Sequence, residues 1–258
     1  MQNVKGINRY LSVGVDADWI RNYLRDQSYE PGNRKTDTMF SFLDDAGITH
    51  KRKLTAVGKK VIAMGIDNEF TWAFMLCNLV DAAPFRWYVD NIPFDYVYES
   101  AQLDIDMEDA AKKARGEFWN GFKTILDSNN LLQQVGLGHP DITYKVNKNG
   151  DVKKTMNSIQ RSPWQSPDPR VILYSLYKFA EKCGGLYQFS LSTLLDDSIE
   201  RDGVSPTRIF GLDYDTMVPI LNGLSVNYPD FISASFSLGL DTINLREDKS
   251  SQDVLTIF

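Results

Sequence analysis

The residues able to do acid, base or nucleophilic chemistry are few and scattered. The only histidines are His50, inside a basic segment, and His139, which precedes a proline, so a serine or cysteine nucleophile has no base within local reach. Cys77 and Cys183 each sit in a helix-like apolar stretch, too few for a cysteine-ligated metal and poorly placed for a disulfide framework. Gly136 and Gly138 lack the third glycine and the following helix of a dinucleotide loop, and no Gly-Lys-Ser/Thr phosphate loop occurs. The carboxylates Asp44 and Asp45, then Asp104, Asp106, Glu108 and Asp109, then Asp196 and Asp197 could meet a hard cation. On short helices, however, such acids are expected to be solvated or to face the helix dipole. The chain is therefore expected to carry no catalytic residue, no metal ligand set and no cofactor.

Cationic chemistry is better organised. Arg34, Lys35, Thr36 and Thr38 open a helix after a turn, placing guanidinium, ammonium and hydroxyl donors where a recognition helix meets bases and phosphates. Lys51, Arg52 and Lys53 follow on a short segment in the place of a wing. Arg208, in the run Ser205-Pro206-Thr207-Arg208 at another helix start, combines a hydroxyl, free backbone N–H groups and a guanidinium, a set that suits a phosphate. Ordinary capping by Ser205 explains the same residues. These eight residues are the candidate nucleic-acid contacts.

The elements that must position them follow from periodicity and punctuation. Residues 17–25 repeat Trp19, Ile20, Tyr23 and Leu24 at helical spacing, and Pro31, Gly32 and Asn33 break the pattern. A helix over 36–46 presents Met39, Phe40, Phe42 and Leu43, and Gly47 stands where a C-cap belongs. Residues 48–54 alternate as a basic strand, and Thr55 caps a helix through Met64. Residues 69–80 are apolar nearly all round, as a buried helix requires. An aromatic run (Phe85, Trp87, Tyr88, Phe94, Tyr96, Tyr98) precedes a charged amphipathic helix over about 107–126. The run could stack bases, but its near-helical spacing favours packing. Residues 139–168 read as a hairpin with an Asn149-Gly150 turn and a proline-ended linker. Helices over 170–182, near 191–199, 206–210 and 213–221 follow, then a strand over 231–238, a tight turn at Gly239 and a strand over 242–246.

The predicted fold is mainly α, with winged-helix-like units at both ends, a helical middle and small β-hairpins. The units are 1–138, a hairpin and linker at 139–168, and 169–258. At 258 residues, 43% apolar and 24% charged, the chain is expected to fold around a substantial core. No stretch approaches the ~18 apolar residues of a membrane span and the N-terminus lacks a signal-peptide plan, so the expected location is the cytoplasm, with no membrane partner. The net charge of −6 opposes phosphate binding overall, yet it is unevenly spread. Residues 31–60 hold seven cations against three aspartates, and residues 145–161 hold Lys145, Lys148, Lys153, Lys154 and Arg161 against Asp151. Two basic islands therefore sit in an acidic protein.

The segments PGNRKTDTMFSFLDDAGIT, LTAVGKKV, EFTWAFMLCNLV and FRWYV resemble a bacterial domain family of unknown function, associated with phosphoadenosine-phosphosulfate (PAPS) reductase-like proteins and DNA phosphorothioation-type defence loci. FSLSTLLDDSIERDGVSPTRIFGLDYDTM and FISASFSLGLDTINLRED resemble the end of the same family, so the likeness covers most of the chain. In such proteins the reductase-like part carries an ATP pyrophosphatase fold with a Ser-Gly-Gly-x-Asp-Ser loop, which this sequence lacks. The resemblance thus implies an accessory part, either the C-terminal portion of a longer protein or a free-standing partner of one, with any enzymatic activity lying elsewhere. The expected function is a DNA-binding or DNA-targeting accessory module. Its expected partners are double-stranded DNA and a PAPS reductase-like or sulfur-transfer protein. Two alternatives are a protein-docking module, with exposed apolar surface around Trp87, Tyr88 and Tyr98, and the C-terminal region of an adenylating PAPS reductase-like enzyme.

Overall fold

Capping chemistry sets the first helices. In the computed structural model, which describes residues 5–237 and 240–258, Asp16 accepts from the Asp18 amide at 2.9 Å to start α1 (Ala17–Arg25). Gly32, at φ +89°, and Asn33, at φ 49°, turn the chain into α2 (Arg34–Asp45). Gly47, at φ +72°, ends it in the left-handed region. Where one basic strand is predicted, a minimal hairpin forms: β1 (Thr49–His50) pairs with β2 (Lys53–Leu54) through His50 and Lys53. Lys51 and Arg52 both adopt positive φ (51° and 62°), the conformation of a two-residue turn whose twist matches the strands. Without Asn or Gly at these positions the turn carries no sequence signal. Thr55 then caps α3 (Ala56–Met64), accepting from the Gly58 amide at 3.0 Å. The order is helix, helix, hairpin, helix, so the hairpin precedes the third helix, whereas a wing would follow it.

The middle is a helical layer against a small sheet. α4 (Glu69–Leu79) is buried from Thr71 to Leu79, as its all-round apolar character requires. α5 (Ala83–Asn91), β3 (Val97–Glu99), α6 (Leu103–Asp106), α7 (Lys112–Asp127) and α8 (Asn130–Leu132) follow. Two longer strands, β4 (His139–Val146) and β5 (Val152–Gln160), join β3 in an antiparallel sheet ordered β3-β5-β4. Most of the aromatic run packs inward, with Tyr96 exposed: Tyr88 stacks on Phe122 at 4.5 Å and Trp87 meets Phe118 edge-on at 5.2 Å. Trp87, Tyr88 and Tyr98 are themselves buried, so apolar exposure in this region falls instead on their neighbours Tyr96 (47%) and Val97 (48%). The amphipathic helix begins only at Lys112, because residues 107–111 turn after α6.

In the last third, α9 (Pro169–Lys182), β6 (Gln188–Phe189), α10 (Leu191–Leu195), α11 (Pro206–Phe210), α12 (Tyr214–Asn227), β7 (Ile232–Ser235), β8 (Thr242–Leu245) and α13 (Ser251–Val254) alternate around an antiparallel sheet ordered β6-β8-β7. α12 runs past Pro219 to Asn227, beyond the predicted end at Leu221. The predicted strand end at Leu238 and turn at Gly239 lie outside the described residues. α4 packs on α9, where Phe74 meets Tyr174 at 4.5 Å and the Tyr174 hydroxyl donates to Asn78 at 2.8 Å. The buried apolar residues form one cluster running from Ile7 to Leu255. About half the chain is helical, with thirteen α-helices among the described residues, and none of these is long and apolar enough to cross a membrane.

Candidate nucleic-acid interface

The start of α2 and the β1–β2 turn bring five of the predicted contacts together. Arg34 and Lys35 are exposed on the first turn of α2, and the Lys35 ammonium lies 5.5 Å from the Trp19 ring of α1. Arg52 folds back from the hairpin turn to pair with Asp37 at 2.7 Å and Glu30 at 3.6 Å, its guanidinium 4.9 Å from the Phe40 ring. That contact ties the turn, with Lys51 and Lys53 on either side of Arg52, to the first turn of α2, which carries Arg34 and Lys35. Among the described residues, Arg34, Lys35, Lys51 and Lys53 make no ion pair, whereas the Arg52 charge is already partly compensated.

Thr36 and Thr38 do not reach this surface. Both are buried: the Thr36 hydroxyl accepts from the Gly32 amide at 3.1 Å and the Thr38 hydroxyl donates to the Arg34 carbonyl at 2.9 Å. Their hydroxyls hold the turn and the helix instead of a ligand, because a helix start projects successive residues onto different faces. Thr38→Val is accordingly expected to leave any nucleic-acid affinity unchanged within twofold while lowering stability by about 1 kcal/mol, the usual worth of one such bond, as anisotropy and urea titrations would read.

Arg208 lies elsewhere, between two concavities of about 790 and 610 Å3. It donates to Asp90 at 3.1 Å, to the Asp197 carboxylate at 3.0 Å and to the Asp197 carbonyl at 2.8 Å, while Ser205 caps its backbone amide at 3.2 Å. With two carboxylates on its guanidinium, it offers a phosphate little net positive field. The structure does not bring Arg208 to the α2 edge.

The second basic island divides. Arg161 is buried with no carboxylate partner among the described residues, and its five N–H groups meet five carbonyls: Gly136 at 2.8 Å, Val89 at 3.2 Å, Ile92 at 2.9 Å, Arg208 at 3.2 Å and Ile209 at 2.9 Å. The Phe94 ring covers it at 3.9 Å. Burial pulls its pKa down to about 10, partly opposed by Tyr88, Asp197 and Asp90, so it stays charged at neutral pH. Lys145, Lys148, Lys153 and Lys154 instead ride the exposed β4–β5 hairpin.

Asp127, at the end of α7, anchors that hairpin by accepting from Lys154 at 2.6 Å and from the Tyr144 hydroxyl at 2.7 Å. Nothing in its local sequence marks this role. Partial burial would raise the Asp127 pKa, but those two hydrogen bonds and the Lys154 and Lys123 charges outweigh it and hold the carboxyl below its ordinary value. The folded-state pKa being lowered, the anchorage is complete above the unfolded value and is lost as pH falls through the folded one. Asp127→Asn at neutral pH should therefore speed amide exchange in 144–153 while costing at most about 1 kcal/mol globally, since the lysine side of the pair is nearly half exposed. In the unmodified protein, the same segment should loosen when the pH is taken below about 4, near the unfolded carboxylate value.

No protein-family profile matches the sequence, and no curated protein matches it significantly. A solved structure described as the magnesium ion-bound SspB crystal structure matches with a TM-score of 0.58, at 12% identity, over 98% of this chain and 86% of that chain. Nothing in this match bears on the PAPS reductase association. The chain thus shares, along nearly its whole length, the fold of SspB, and at this identity the likeness is one of fold.

Proposed function

We propose that the protein is a DNA-contacting accessory component of a DNA-modification system and carries no catalytic site of its own. The observation that carries this reading is that Arg34, Lys35, Lys51 and Lys53, all exposed and without ion pairs among the described residues, lie on α2 and on the β1–β2 turn that Arg52 ties to it. Unpaired cations on a protruding edge bind phosphates by releasing counterions, and a protein of net negative charge needs such a local patch to do so. The fold likeness to SspB, a DNA phosphorothioation-associated protein, supports the setting.

The test is an anisotropy titration of labelled duplex DNA at roughly 50 and 200 mM salt, with the protein and its Arg34→Ala/Lys35→Ala/Lys51→Ala/Lys53→Ala variant. Binding should weaken steeply with salt, and the variant's log–log salt slope should be shallower by about 3 to 4, at roughly 0.9 per lost phosphate contact. Absence of binding at the lower salt would overturn the reading.

A second reading concerns the C-terminal third, which we take as winged-helix-like: helix, strand, helices, hairpin, with the first strand beside the last. α12 then holds the recognition position, yet it contains no lysine or arginine and exposes Tyr214 and Val226. Such a face suits a protein partner, for which we propose the PAPS reductase-like or sulfur-transfer protein of the same system. Val226→Glu should abolish that association and leave DNA affinity intact.

A further inference from the structure

We infer that the β4–β5 hairpin is a second nucleic-acid contact, an arm whose outward face takes the phosphates of duplex DNA on a surface continuous with the α2 edge. This rests on the DNA-contacting reading above and adds a contact that the reading does not require.

The strand register decides which side chains face out. Ile142 pairs with Met156, Tyr144 with Lys154 and Val146 with Val152, while Thr143 pairs with Thr155 and Lys145 with Lys153. Met156 is buried, and its carbonyl accepts from Trp119 of α7 at 2.8 Å, so the even-numbered face lies on α7. Alternation then turns Thr143, Lys145, Lys153 and Thr155 outward together. Two lysines directly opposite one another repel and destabilise the strand pair. Lys154 relieves its charge on Asp127, but Lys145, Lys153 and Lys148 of the turn make no ion pair or side-chain hydrogen bond among the described residues. An anion lying across the ribbon would relieve them.

Shape and reach fit a duplex. The last pair anchored to α7 is Tyr144 and Lys154. Beyond it the ribbon overhangs, with Val146 70% and Val152 54% exposed. A free two-stranded ribbon is narrow enough for the DNA major groove, about 12 Å wide. The outward face holds cations and hydroxyls toward the turn and, at its base, Asp141, which accepts from Asn157 at 2.9 Å; among the described residues it holds no aromatic ring, and the Tyr144 hydroxyl is held by Asp127, so the stacking platform that a single strand needs is missing.

The two basic islands, a hundred residues apart in sequence, are linked by a short chain of contacts through α7 and α1. Asp127 holds Lys154, and the next residue, Ser128, accepts from the backbone amide of Ala17 at 3.0 Å, at the first turn of α1. Two residues on, Trp19 underlies Lys35 of the α2 edge. The Asp16 charge is felt at Lys154, in keeping with this proximity.

The deciding experiment compares anisotropy titrations of labelled duplex and single-stranded DNA, over a salt series, for four proteins. These are the unmodified chain, Lys145→Ala/Lys148→Ala/Lys153→Ala, the α2-edge variant, and Lys182→Ala/Lys249→Ala as a control for lost positive charge on other elements. The ribbon variant is expected to lose roughly tenfold or more in duplex affinity and about 2 to 3 in salt slope, with the control unchanged. It should melt no lower than the unmodified chain, because a repulsive pair has been removed, so lost binding cannot be read as lost folding. Duplex binding with the slope intact in the ribbon variant overturns the arm and leaves the α2 edge standing, whereas no binding by the unmodified chain at low salt overturns both. Preference for single strands over duplex overturns the arm's assignment to a duplex.

Discussion

Arg161→Ala should lower the melting temperature by roughly 8 to 16 °C, from a loss of about 4 kcal/mol at the 2–4 °C per kcal/mol of a chain this size. Among the described residues, the guanidinium is the sole side-chain partner of carbonyls drawn from the end of α5 (Val89 and Ile92), the turn before β4 (Gly136) and α11 (Arg208 and Ile209). Alanine would leave five carbonyls facing a cavity beneath Phe94, and buried acceptors without donors cost more than the bonds themselves contribute. Arg161→Lys keeps the charge but has three donors in place of five, without the planar fork, and should lose about half as much. Arg161→Met separates the two contributions, since it removes the buried charge together with the donors. If the charge were a net burden, Met would match or exceed the unmodified chain in a urea titration. A loss near that of alanine would show that the five bonds join α5, the turn before β4 and α11.

The second large effect is expected at Gly138, just before β4. Its φ of +87° is a conformation that side-chain-bearing residues rarely adopt, and an added Cβ would lie 2.3 Å from the Gln160 carbonyl oxygen and 2.5 Å from the Arg161 Cα. Both are backbone atoms, at the last residue of β5 and the residue after it, so neither can swing away. Gly138→Ala should therefore cost on the order of 3 kcal/mol or more, combining left-handed strain with overpacking. Because the displaced atoms belong to Arg161 and its neighbour, it should also spread strands β4 and β5 at their anchored end. Gly150, in the turn at the far end of the same hairpin, has the same φ but open space around the added Cβ. Gly150→Ala should cost only about 1 kcal/mol, and the difference between the two midpoints in urea isolates the steric part.

What the sequence by itself determined is what depends on neighbours a few residues away. The caps at Thr55, Ser190, Ser205 and Asp213 accept from amides three residues on, so they could be read directly, as could the buried helix α4 from its unbroken apolar run. The positions of both basic islands were equally legible, being matters of composition. Which cations meet solvent was not. Arg161 counts toward the second island in sequence, yet it is enclosed by carbonyls lying 25 to 72 residues away. Arg208 is matched by Asp90, 118 residues distant, and the hairpin is moored by Asp127, 27 residues from Lys154. The β1–β2 turn forms with two cationic residues at positive φ in place of the Asn-Gly that would announce it. Helix and strand arise from hydrogen bonds and side-chain spacing within a segment, so they leave a local periodic trace. The field and solvation at a charged group are set by whatever the fold brings within a few ångströms, and only the tertiary structure decided that.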